Sequence, residues 1–156
     1  NNYKRPLILE DDVMFLDNAV SNLTLSIEEL KQYENWSLFY LGGTLNRKPW
    51  QKLNNLIITD YIATTSSYLL NPSMYDFIIE DTPKYYYDNW IEAGRYPIDD
   101  YYVHKIQRNY AKENKVYTFA TNPLIALQRD SYSNIENNYC APSTMQLRRW
   151  DRYINE

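Results

Sequence analysis

The sequence predicts one α/β domain built on a mixed or parallel sheet, and three observations carry that prediction. Short apolar runs of strand length, such as Pro6-Leu7-Ile8-Leu9 and Ser37-Leu38-Phe39-Tyr40-Leu41, stand between segments whose apolar residues recur at helical spacing. The resulting order is strand, helix, strand, strand, helix, helix, strand. The chain has 156 residues, enough for one core that buries roughly 68–70% of the surface exposed on unfolding.

Each element has a local reason. The consecutive apolar residues of the first strand suit burial on both faces, and it runs straight into Glu10-Asp11-Asp12. Leu16, Ala19, Val20, Leu23, Ile27 and Leu30 then fall on one helical stripe, with Asp17 as the N-cap. Ser26 and Glu29 have capping-box spacing, which leaves two short helices as an alternative. The strand at Ser37–Leu41 stops at Gly42-Gly43, a turn that calls for positive φ or for room beside a ligand. Leu56 to Leu70 reads as strand material interrupted around Thr64-Thr65-Ser66.

Asn71-Pro72 is a helix start, with Asn as N-cap and Pro at the first helical position, leading to Met74, Phe77 and Ile78. Thr82 to Pro97 reads as a loop or short surface helix. A further helix begins at Asp99 or Asp100, with Tyr102, Val103, Ile106 and Tyr110 inward. Val116 to Ala120 and Leu124 to Leu127 are late strands. The main unit therefore covers 1–138, followed by a polar tail, 139–156, that packs on it or extends from it and carries Arg148, Arg149 and Arg152.

Charge and composition exclude several functions. With 16 basic and 20 acidic residues the net charge is −4, which argues against a broad surface for nucleic acid or anionic lipid. No apolar run approaches a membrane span and no signal-peptide core is seen, so a cytoplasmic location is expected. One cysteine, Cys140, and one histidine, His104, can form neither an intrachain disulfide nor a Cys/His zinc site. Tyrosine supplies 17 residues and glycine only 3. AT-rich coding is the plainer account; a tyrosine-lined groove for a sugar or base is the other.

The sharpest chemical feature is Glu10-Asp11-Asp12. Three successive carboxylates repel one another, and a hard divalent cation, magnesium, manganese or calcium, relieves that repulsion. On an extended chain Glu10 and Asp12 point to one side and Asp11 to the other. A solvated strand end followed by a helix cap is the alternative.

Taken together, these segments resemble glycosyltransferase family 25, the lipopolysaccharide sugar transferases and collagen galactosyltransferases. Leu7-Ile8-Leu9-Glu10-Asp11-Asp12-Val13 resembles its strand and metal motif, and Trp36-Ser37-Leu38-Phe39-Tyr40-Leu41-Gly42-Gly43 its second strand. Thr65-Ser66-Ser67-Tyr68-Leu69-Leu70-Asn71-Pro72 is similar to a later strand and helix, and Pro97-Ile98-Asp99-Asp100 to its Pro-hydrophobic-Asp element. Asn122-Pro123-Leu124-Ile125-Ala126-Leu127-Gln128, with Ser131 and Ser133, resembles its closing segment, so the likeness spans Leu7 to Ile135 in family order.

The resemblance implies a GT-A-like mixed sheet flanked by helices and an inverting transfer of sugar from a nucleotide-diphosphate donor to a glycan or hydroxylated protein acceptor. It implies manganese, with magnesium as the alternative, held by Asp12 with Glu10 or Asp11 and with His104 completing the shell. Asp99 or Asp100 is the implied base, while Glu10, Asp11, Gln128 and Ser133 are implied on the donor, phosphate or acceptor side. Trp36, Tyr40 and Tyr68 are open to two readings, sugar platform or core. In the family a nucleotide-binding half precedes the metal motif; six residues precede it here. The resemblance therefore implies that this half is lacking, and predicts exposed sheet edges that favour self-association or a partner chain supplying strands. The non-enzymatic alternative is a remnant that binds carbohydrate or protein without turnover.

Overall fold

A computed structural model describes residues 5–93, 97–133 and 138–155 of the chain. Its centre is a six-stranded mixed sheet made of β1 (Leu7–Leu9), β3 (Trp36–Tyr40), β5 (Gln51–Lys52), β6 (Leu56–Thr59), β8 (Ser67–Leu70) and β9 (Tyr117–Thr121). Spatially the strands run β1-β8-β3-β9-β6-β5. Only β3 and β9 pair in parallel, with Phe39 opposite Phe119, and every other neighbour is antiparallel.

The period-two alternation of the central strands sorts the core onto two faces. Leu38, Tyr40, Ile57, Tyr68 and Ala120 lie on one face with Met74, Tyr101, Ile106 and Trp150. Phe39, Leu41, Leu56, Ile58 and Phe119 lie on the other with Ala19 and Leu30 of α1 (Ala19–Leu30). The predicted α/β class holds, as a mixed sheet.

Several elements depart from the sequence reading. The first strand is not buried on both faces: β1 is an edge strand, and Leu7 and Leu9 are 43% and 44% exposed. Helix α1 is a single helix with Asn18, not Asp17, at its N-cap. The pair read as a capping box instead holds the turn between β5 and β6, with Ser26 donating to the Asn55 carbonyl and Glu29 accepting from the Asn55 amide. Val20 points outward. The stretch read as a loop or short surface helix belongs, as far as Ala93, to the longer α2 (Tyr75–Ala93), which runs through Pro83, while Gly94 lies outside the described residues. Asn71 caps as expected, accepting from the Ser73 amide, although the first turn is 3-10.

The glycine pair makes room for protein, not for a ligand. A side chain on Gly42 would strike the Ala126 carbonyl oxygen, and Gly43, at φ 149°, faces Ile62. This close approach seats β10 (Ala126–Gln128), which pairs with β2 (Val13–Phe15). The helix expected at Asp99 starts one residue earlier, as α3 (Ile98–Tyr101), and continues through a nine-residue π-helical stretch, Tyr102–Tyr110, into α4 (Ala111–Asn114).

The basic C-terminal stretch packs on the domain. It forms β12 (Asn138–Cys140), opposite β11 (Ser131–Ser133), and then α5 (Pro142–Trp150), whose Trp150 joins the larger core cluster. The remaining short strands, β4 (Thr44–Leu45) and β7 (Ile62–Ala63), pair beneath α5. Among the described residues, no helix is long and apolar enough to cross a membrane.

Candidate functional site

The acidic tripeptide sits in the turn between β1 and β2, not on extended chain. The Val13 amide donates to the Glu10 carbonyl across this turn, and the Glu10 amide donates to the Ser66 carbonyl. Glu10 and Asp11 are both exposed and Asp12 is half-buried, and the Glu10 and Asp12 side chains each accept a hydrogen bond. Thr65 Oγ1 donates to Glu10 Oε1 at 2.9 Å. Gln128 Nε2 donates to Asp12 Oδ2 at 2.9 Å, and the Arg129 amide donates to the Asp12 carbonyl. The other carboxylate oxygen, Asp12 Oδ1, is buried without a hydrogen-bond partner. A buried carboxylate oxygen left in this state is costly unless a donor or cation meets it.

The second acidic pair comes from the start of the 98–114 helix. Pro97, rather than either aspartate, occupies the N-cap position, and both acids lie in the first turn. Asp99 Oδ1 accepts from the Asp100 amide at 3.1 Å. Partial burial, then the charges of Asp12, Asp99 and Asp11, raise the Glu10 carboxyl above its ordinary value, against the Thr65 hydrogen bond. Asp99 thus belongs electrostatically with the turn acids. Burial and the Asp99 charge also raise Asp100, and His104 partly offsets them. His104 itself is exposed and acts on Asp100.

Beneath the acids lies a tyrosine layer. The Tyr68 and Tyr102 hydroxyls are 3.2 Å apart, and Gln107 Nε2 donates to Tyr40 Oη at 3.2 Å. Burial raises the Tyr40, Tyr68 and Tyr102 hydroxyls, and nearby charge, from Asp99 on Tyr40 and from Glu10 on Tyr68, adds to it. These phenols therefore stay protonated and uncharged. Trp36, Tyr40 and Tyr68 are all buried, which makes these three rings core.

The other predicted residues are placed as follows. Gln128 reaches the site through Asp12. Ser133 lies on β11, and its side chain, like Ile135, falls outside the described residues. Arg149 donates to Asn46 Oδ1, and Arg152 stacks on Tyr153, so neither is directed at the acids. Three contributors went unread in the sequence: Thr64, Gln107 and Gln146. All three are polar residues with no charge or motif to mark them; Gln107 and Gln146 are buried between elements and Thr64 is half-buried.

Among the described residues, no three His, Cys, Asp or Glu side chains converge as a ready-made ligand cage. The donor set nevertheless suits a hard cation held by one or two carboxylates and completed by the oxygens of a second ligand, as magnesium sites often are. The unpartnered Asp12 Oδ1 and the destabilised Glu10 carboxylate are the groups such an ion would satisfy. Comparison of the chain with protein-family models, curated proteins and solved structures finds no match.

Proposed function

We propose that this chain is the metal and acceptor half of a GT-A-like, inverting glycosyltransferase resembling family 25, acting on a nucleotide-diphosphate sugar. The observation that carries the reading is the electrostatic influence of one acidic motif on another far apart in sequence. Asp99, from the Pro-hydrophobic-Asp element, acts on Glu10, from the acidic turn, beside an Asp12 oxygen with no partner. Motif order supports the same reading.

Asp12 and Glu10 would hold a manganese or magnesium ion, whose chemistry when bound is to neutralise the charge of a diphosphate leaving group. Thr65 and Gln128 fix the orientation of these two carboxylates. Asp99 and Asp100 supply the base that takes the acceptor hydroxyl proton; the raised proton affinity of Asp100 suits it to that step. His104, exposed beside Asp100, tunes that affinity rather than completing the turn site. The donor and acceptor classes are those of the family: a nucleotide-diphosphate sugar, and a glycan or hydroxylated protein.

Calorimetry with a panel of nucleotide-diphosphate sugars, with and without manganese, tests the proposal. Metal-dependent binding is expected, with a loss of at least about tenfold in Asp12→Ala. A folded chain that binds none of the donors in either condition would overturn it.

A further inference from the structure

Helix α5 is built the wrong way round for a helix that merely covers a core. It exposes Met145 and Leu147, at 42% and 44%, and buries Gln146 completely, at 0%. Trp150, four residues on and on the same stripe, is the apolar anchor. A fully buried glutamine is tolerated only where its amide is satisfied on both sides. Gln146 meets that demand: its Oε1 accepts from the Gln128 amide at 3.0 Å, and its Nε2 donates to Thr64 Oγ1 at 3.3 Å. Gln128 then holds Asp12 Oδ2 with its own side chain. A chain of polar contacts thus runs from the centre of α5 to the carboxylate whose other oxygen is unpartnered.

We propose that Gln146 is a positioning residue for Asp12, so that α5 is part of the site and sets the aim of its acid. By holding the backbone amide of Gln128 at the end of β10, Gln146 sets the base from which the Gln128 side chain donates to Asp12 Oδ2. Asp12 Oδ1 is left as the carboxylate oxygen without a partner. Partners that orient a ligand in this way commonly govern affinity by one to two orders of magnitude. The link to a cation rests on the proposed function above, whereas the positioning of Asp12 does not.

The test uses the full chain and two readouts: the NMR resonances of the Asp12 carboxyl carbon and Gln128 side-chain amide, and manganese affinity from paramagnetic broadening. Gln146→Met, similar in shape but unable to accept, is expected to move both resonances and weaken manganese binding about tenfold. Gln146→Glu keeps an acceptor for the Gln128 amide and a second oxygen for Thr64 Oγ1, and should return the Asp12 resonance toward its original position. Thr64→Val removes only the far end of the chain and should leave Asp12 unmoved. Should Gln146→Met fail to fold, Gln146→Asn, one methylene shorter, carries the same expectation. Resonances unchanged in folded Gln146→Met or Gln146→Asn, or moved as far by Thr64→Val, would overturn the inference. If the unsubstituted chain binds no manganese, the metal reading falls, and the two resonances alone decide whether Gln146 positions Asp12.

Discussion

Glu10 shows how a site residue works against the fold that carries it. Its carboxyl is raised, so the folded chain still holds a proton there when the unfolded chain has released its own. The sign follows: as pH rises from the ordinary value of 4.5 through the raised value, stability falls, and at neutral pH the ionised form is a net burden. Glu10→Gln keeps the Oε1 acceptor for Thr65 and removes the charge. In chelator it should raise the melting temperature at pH 7 by no more than about 2–4 °C, since solvent screens part of the repulsion. Thermal melts between pH 4 and 8 should also show a flatter profile than the parent chain. The charge of Glu10-Asp11-Asp12 was legible in the sequence because carboxylates announce themselves. Their partners were less so, since Thr65 and Gln128 carry no charge and act through geometry that only the folded turn supplies.

At the level of elements, the helix from Ile98 to Asn114 binds the site to the rest of the core. Its π-helical stretch buries Tyr102, Val103, Ile106 and Gln107, adding a glutamine to the inward face read from the sequence. Gln107 closes three groups at once: it accepts from the Ile62 amide at 2.9 Å and donates to the Ile62 carbonyl and the Tyr40 hydroxyl. Gln107→Leu orphans all three and should lower unfolding free energy by about 3 kcal/mol in urea titrations, most of it desolvation of the stranded partners. Helical spacing was sufficient to place Tyr102, Val103 and Ile106 inward. It could not foresee Gln107, because i→i+5 winding shifts the buried stripe by a residue. The strand runs were read from the same kind of pattern, and β3 and β9 match it. For β1 the pattern misled, since an apolar run reads the same whether its strand is central or at the edge.

For the whole molecule, the main consequence of that edge position is an uncovered apolar surface. Leu7, Phe15, Leu16, Val20, Leu23 and Ile125 line a groove of about 740 Å³ beside β1. Phe15 is 51% exposed and Val20 82%. Apolar surface of this kind binds hydrophobic dyes. Val20→Lys should lower the fluorescence of the dye ANS bound to the folded chain while changing stability by less than about 0.5 kcal/mol, because its side chain touches so little. The α/β class and the order of elements were legible from apolar periodicity. The role of the C-terminal helix was not, since it depends on a polar residue packed inward while its neighbours Met145 and Leu147 face out.

The contact between Gln128 and Asp12 has a further consequence during synthesis. The two residues are 116 positions apart, and a ribosome adding roughly 5–20 residues per second leaves Asp12 waiting roughly 6–23 s for its partner. The central strand β3 meets its parallel neighbour β9 only after a similar delay, with Ser37 reaching the Tyr117 carbonyl 80 positions on. Through that interval the nascent chain carries its acids without the donors that aim them and its core strand half paired. Helix α5, whose Gln146 accepts from the Gln128 amide, emerges later still.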